Sequence, residues 1–294
     1  MNPDMMLEVQ AELERIPKEP IPVYDRVKKT RSAGRATAQD YIYSIFSEFC
    51  ELHGDRRFGD DSAVIGGIGM LGNMPVTVIG TEKGHGVNER MQRNFGCVHP
   101  EGYRKALRLV KEAQKFGRPV VFFVDTQGAN SGKGAEERGI GEAIAENLYE
   151  LGTVKTPMIT VMIGEGGSGG ALALAVADQV WMLENAYYSV IAPESCASIL
   201  FKDSSRAPEV AEYLRLTAGD LYQMEIIEKI IHEPEDFTDK AQVASFMEQL
   251  GRELLKKLKL LNMTNKDKLI EKRYEKYRKI GRYMENSVKN KRNV

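Results

Sequence analysis

Five glycines fall within seven residues in the run Gly164-Glu165-Gly166-Gly167-Ser168-Gly169-Gly170. Glycine lets main chain approach a bound group with no Cβ in the way. The run follows an apolar segment of strand length, Pro157 to Ile163, and precedes Ala171 to Ala177, rich in the helix formers Ala and Leu. N–H groups at such a turn and helix start lack partners, so the segment suits a developing negative charge. Three chemistries fit it. Gly164, Gly166 and Gly169 satisfy the dinucleotide pattern G-x-G-x-x-G, with Glu184 about 20 residues on, after the apolar run Val180 to Leu183. Gly166 to Gly170 also satisfy G-x-S-x-G, which makes Ser168 a candidate nucleophile; it would need Asp203 or Asp220 as acid and His232, the only later histidine, as base. The third is an oxyanion hole of backbone N–H groups with no side-chain nucleophile. The plain alternative is that the glycines only let a helix pack closely on a strand.

A second strand–loop–helix unit lies upstream. Val120 to Val124 reads as a strand buried on both faces, ending in Asp125-Thr126. Its loop carries Gly128, Gly132 and Gly134, and the spacing predicts a helix from near Ala135, with Glu136 and Glu137 in its first turn. The loop is one residue short of a phosphate-binding P-loop, and Gly134 stands where the metal-binding hydroxyl belongs, which excludes that mode of ATP binding. Open α/β sheets bind ligands at such carboxyl ends of strands.

Five ordered segments carry a family resemblance: Glu51 to Asp61, Arg93 to Leu109, Asp125 to Gly139, Ile163 to Leu174 and Glu184 to Asp203. Together they make residues 38–234 resemble the alpha subunits of the carboxyltransferase component of bacterial acetyl-coenzyme A carboxylase. So many matches in order displace the dinucleotide and hydrolase readings. The resemblance implies an α/β fold of crotonase-like (ClpP/crotonase) type, a spiral of ββα units with N- and C-terminal helical extensions. It implies transfer of a carboxyl group from carboxybiotin, borne on a separate biotin carboxyl carrier protein, to acetyl-CoA, giving malonyl-CoA for fatty acid synthesis. The partner would be a beta subunit with a zinc ribbon, in an α2β2 assembly in the cytoplasm. In this resemblance the glycine pair of the family falls on Gly169 and Gly170, with Ala171 beside it, as a backbone oxyanion hole. Gly166, Gly167, Gly128 and Ala129 would line the carboxybiotin side. Lys83, Arg90 and Arg93, near glycine-rich turns, are the better candidates for CoA phosphates; Arg104, Lys105 and Arg108 are weaker ones, with a solvated helix face the favoured reading. A stand-alone acyl-CoA hydratase or hydrolase of crotonase type is the alternative, with Glu165 as acid or base and Ser168 as nucleophile.

The loop after Asp125 departs from the family pattern. Gln127, Asn130 and Ser131 stand in place of Pro, Tyr and Pro, and losing two prolines should loosen the loop. Cys97 and Val98 also replace more usual residues before His99-Pro100.

Composition sets the wider frame. The 294 residues are 42% hydrophobic and 28% charged with a net charge of −1, ordinary for a globular enzyme and no basis for bulk attraction to nucleic acid. Three cysteines with no C-x-x-C pair give neither a disulfide framework nor a zinc ribbon. His85, His99 and His232 lack metal-ligand spacing, so no metal is expected in this chain. The N-terminus reads as an acidic amphipathic helix rather than a signal peptide, and no apolar run approaches the ~18 residues of a membrane span. The expected division is 1–36 as a helical arm (Met1 to Ile16) and linker (Pro17 to Gly34), 37–238 as the carboxyltransferase domain, and 239–294 as a charged helical extension. Thr37 to His53 reads as an amphipathic helix bearing Tyr41, Ile45, Phe46 and Phe49. The first strands are Ala63 to Met70 and Pro75 to Gly80, and a helix follows over Tyr103 to Phe116. In the basic tail, Ile270, Tyr274, Tyr277 and Met284 form the apolar stripe of a packing helix; contact with RNA or a membrane surface is the sharper alternative.

Overall fold

A computed structural model describes residues 21–281, so the expected arm Met1 to Ile16 and the tail beyond 281, with Met284, lie outside the described residues. Helix α1 (Val23–Thr30) occupies part of the stretch expected to be a linker. It buries Val27 and Thr30, and Arg26 donates to Glu184 O at 2.9 Å. Helix α2 (Ala38–Ile45) starts at a capping box, where Thr37 N–H donates to the Asp40 carboxylate at 2.7 Å. It is shorter than the expected Thr37 to His53. The chain turns extended at Phe46 and continues as strand β1 (Ser47–Glu51). Phe46 and Phe49 suit a helical period, but pairing with the neighbouring strand and ring contacts with Phe123 (6.3 Å) and Tyr43 (5.6 Å) decide the outcome.

Strands β2 (Val64–Leu71) and β3 (Met74–Thr81) form an antiparallel hairpin whose register, Leu71 opposite Met74, leaves the two-residue turn Gly72-Asn73. Helix α3 (Val87–Gln92) precedes α4 (Pro100–Phe116), which has His99 as N-cap, Pro100 in its first turn and Gly117 left-handed at its end. The α4 face bearing Tyr103, Ala106, Leu109, Val110 and Ala113 is buried at helical spacing. Then come β4 (Val120–Thr126), α5 (Lys133–Glu137), α6 (Ile140–Thr153), β5 (Met158–Gly167), α7 (Ser168–Leu172), β6 (Gln179–Leu183) and β7 (Tyr187–Ser189). The rest is α8 (Pro193–Phe201), α9 (Ala207–Leu214), α10 (Ala218–Gln223), β8 (Lys229–Ile231), α11 (Lys240–Asn262) and α12 (Lys266–Lys279).

The sheet runs β1-β2-β3-β4-β5-β6-β8, with β7 paired to the far end of β5. β1 to β3 are antiparallel and every later pair is parallel. All residues of β4 and β5 are buried, as expected where helices cover both faces of a parallel sheet. α12 is held to this core by Arg273, which is 1% exposed. Its guanidinium donates to the carbonyls of Leu151 and Val154, both at 2.8 Å, and pairs with Asp178. The stripe of α12 therefore differs from the expected one: Leu269 and Arg273 are buried and Tyr274 is 65% exposed. Among the described residues, no helix is long and apolar enough to cross a membrane.

Candidate active site

The carboxyl ends of β4 and β5 lie side by side, and the glycines serve their contact. β5 continues past Ile163 to Gly167, so the expected loose turn is a strand that enters a five-residue helix directly, and the helix expected over Ala171 to Ala177 is α7 instead. Pairing with both β4 (Thr126 with Gly166) and β7 (Gly167 with Ser189) extends the strand. Ser168 then adopts φ +51°, the sharp bend between strand and helix. A Cβ on Gly170 would come within 2.5 Å of Ala129 N and 2.8 Å of the Tyr103 hydroxyl, so only glycine lets α7 approach the β4 loop.

Several backbone donors there lack a partner outside their own element. Among the described residues, the N–H groups of Gly169, Gly170 and Ala129 donate to no side chain and to no carbonyl outside their own helix. Gly170 and Ala171 are both buried, and Gly169 is partly exposed. The candidate donors are those of Gly169, Gly170 and Ala171 on one segment and Ala129 on the other. Gly128, at φ +148°, is tied to Thr126, whose Oγ1 donates to Gly128 O (2.9 Å) and accepts from Gly128 N–H (3.1 Å). Asn130 N–H donates to Val98 O at 2.9 Å, and Asn130 Oδ1 accepts from Gly132 N–H at 2.8 Å. These bonds tie the loop that lacks two prolines, and Val98 is fully buried as part of that tie.

Behind the two loops sits a buried charge cluster that spacing did not reveal. Glu165 is 1% exposed and accepts from Lys83 (2.7 Å), Arg31 (2.8 Å) and the Tyr187 hydroxyl (2.9 Å). Burial pushes its carboxyl up, but Lys83 and Arg31 outweigh that and hold it below the usual carboxylate range. Lys83 also meets Asp125 at 2.5 Å; burial lowers its ammonium, and the two carboxylates reverse the shift and hold it above its ordinary value. A cavity of about 170 Å³ opens beside the cluster, lined by Arg31, Arg35, Arg90, Phe95 and Gln127 among others.

The remaining candidates separate clearly. Lys83 is bound to two carboxylates and has no free charge for a phosphate, which corrects that expectation. Arg93 bonds Ser62 O and Gln39, and Arg90 bonds Gly84 O at the cavity wall. Arg104, Lys105 and Arg108 are not a solvated face: they are largely buried and hold Asp55, Val64 O and Gly54 O respectively. The hydrolase order fails, because His232 is bonded to Glu184, Asp203 caps Ser205, and Asp220 is occupied by Thr217 and Arg215. Glu184 is used up on His232 and Glu233 N–H, which leaves no acidic partner for a ribose. Among the described residues, no group of three or more His, Cys, Asp or Glu is arranged to hold a metal.

Residues 6–281 match the model of the acetyl co-enzyme A carboxylase carboxyltransferase-like family. The chain belongs to the acetyl-CoA carboxylase carboxyltransferase alpha-subunit family. The alpha subunit of Ruminiclostridium cellulolyticum is 57% identical over 258 residues, covering 88% of this chain and 97% of that one. A beta/alpha carboxyl transferase chain of Natranaerobius thermophilus is 54% identical over 265 residues, 90% of this chain but 44% of that longer one. Among solved structures, transcarboxylase 12S superposes with a TM-score of 0.59 at 21% identity, over 81% of this chain and 44% of that one. The fold is accordingly the crotonase-like α/β type of the carboxyltransferases.

Proposed function

We propose that this alpha-subunit family member is half of a carboxyltransferase that moves a carboxyl group from carboxybiotin to acetyl-CoA, giving malonyl-CoA for fatty acid synthesis. The observation that carries this reading is the close approach of Gly170 to Ala129 at the carboxyl ends of β5 and β4, where neither N–H has a partner outside its own element. Two such N–H groups on neighbouring segments would suit a ureido or thioester oxygen that gains negative charge. Carboxybiotin would supply the carboxyl group, and its departing nitrogen would serve as the base. This chain's own residues then need only hold and orient: Gly169, Gly170 and Ala129 bind the oxyanion, and Gly166 and Gly167, where a Cβ would strike Tyr187 and Gln127, let β5 pack against β7 and the Gly128 loop beside the carboxybiotin. No protein base is required, and Glu165, the one carboxylate a hydratase would use here, is held ionised by two cations and a phenol. That observation weighs against the stand-alone hydratase.

The wider reading has several parts. The biotin arrives on a separate carrier protein, and the partner is a beta subunit bearing a zinc ribbon, in an α2β2 assembly in the cytoplasm. Arg90 and Arg93 remain the candidates for CoA phosphates. The chain divides at 36/37 and 238/239 into arm and linker, catalytic domain and charged extension. Replacing Gly170 with Val tests the donor assignment: valine keeps the N–H, but its side chain would push α7 off the Ala129 loop and misplace the donors, so in the assembled complex carboxyl transfer should fall by ~10²-fold. Wild-type turnover in that variant would refute it.

A further inference from the structure

Between two points of contact with β4, strand β5 carries an irregularity that re-aims it. Val124 pairs with Met162 and Thr126 with Gly166, so one residue of β4, Asp125, spans three of β5: Ile163, Gly164 and Glu165. Such a bulge leaves ladder groups without partners and bends the strand. Here side chains take up the loose groups. Asp125 Oδ1 accepts from Glu165 N–H at 2.7 Å, and Arg35 Nη2 donates to Ile163 O at 3.1 Å. Gly164 gives the Asp125 carboxylate its place, since any Cβ there would overlap it. Lys83, two residues past the end of β3, binds both carboxylates of the bulge, Asp125 at 2.5 Å and Glu165 at 2.7 Å. One ammonium thus joins the ends of three adjacent strands directly upstream of Gly166 to Gly170 and Gln127 to Ala129.

We infer that Lys83 is a positioning residue for the carboxyl-transfer site: it fixes the bulge, and the bulge sets the spacing between the Ala129 and Gly170 donors. The inference rests on the carboxyltransferase reading above. Without the ammonium, Asp125 and Glu165 lose the one cation bonded to both; Arg31 stays on Glu165 and Arg35 near Asp125, but neither bridges the pair, and the strand ends separate. Displacements near 1 Å at a reacting centre cost ~10²-fold in rate.

The test uses the full chain assembled with its beta partner and measures transfer from malonyl-CoA to free biotin. Lys83→Met should lower kcat by ~10²-fold while KM for malonyl-CoA stays within about threefold, and Lys83→Arg should recover at least a tenth of the lost rate. Lys83→Met with kcat within threefold of wild type overturns the inference, as does a rise in KM with kcat unchanged. If the Lys83→Met complex does not assemble, Glu165→Gln decides, because it keeps the shape and removes one charge that Lys83 holds. A kcat about tenfold lower supports the clamp, and an unchanged kcat overturns it. Active wild type that is silenced by Gly170→Val but not by Lys83→Met would leave the carboxyltransferase reading standing and sink the role of Lys83 alone.

Discussion

Asp55 shows how one carboxylate can be held in its charged form. Burial acts to raise its pKa, but the N–H groups of Arg57, Phe58 and Gly59, together with Arg104 at 2.9 Å, bring it down to about 2 from an ordinary 3.8. Because the folded value is the lower one, this stabilisation is complete above pH ~4 and is lost as pH falls towards 2; its size is about 2 kcal/mol. Asp55→Asn should therefore be less stable at pH 7 by that order, with the gap to wild type closing between pH 4 and 2 in urea titrations. A gap that does not change with pH would contradict the account. At this scale the sequence is informative where chemistry is local. Gly169 and Gly170 stand out because five close glycines have few other uses, whereas Ala129 enters only through the family resemblance. Glu165, Lys83 and Asp125 are 40 or so residues apart along the chain, and no spacing rule joins them; only the parallel sheet does.

Among the elements, α12 shows how a charged helix can belong to a core. Its sequence is dominated by Lys, Arg and Glu, yet Arg273 reaches three backbone carbonyls, of Leu151, Val154 and Thr156, and the Asp178 carboxylate. Tyr277 adds a bond from its hydroxyl to Ala175 O at 2.6 Å. Removing one partner of a buried ion pair costs ~3–5 kcal/mol, because the other charge is left unpaired. Arg273→Ala should lower the thermal midpoint by several degrees or detach α12, seen as lost helical circular dichroism; an unchanged melt would show that α12 is not an integral part of the fold. Strands β4 and β5 are legible in the sequence because strands buried on both faces are continuously apolar. The segment Phe46 to Glu51 is not, since its aromatic spacing serves a helix or an edge strand equally and the pairing with β2 decides it. The α12 stripe is misjudged for a related reason. Hydrophobic periodicity looks for apolar residues, and here the residue that goes inside is an arginine.

On the scale of the whole molecule, the described chain provides one side of a reaction centre. Among the described residues it offers unpaired N–H groups at the ends of two neighbouring strands, a side-chain-sealed bulge behind them and a small charged cavity, but neither a free side-chain base nor a nucleophile with its acid and histidine. That combination agrees with family membership and with an activity completed by a second chain, and the Natranaerobius relative, named for both subunits, joins the two in one polypeptide. The ordered segments of the sequence carry this much of the fold and family directly. The surface that receives the partner is not legible in them, because a docking face has no periodicity that distinguishes it from any other surface. The measurement that bears most directly on the central claim is carboxyl transfer between malonyl-CoA and biotin, with the purified chain alone, with its beta-subunit partner alone, and with the two co-expressed. Transfer only in the mixture is the predicted result. Acyl-CoA hydration or hydrolysis by this chain alone, with no transfer in the mixture, would contradict it.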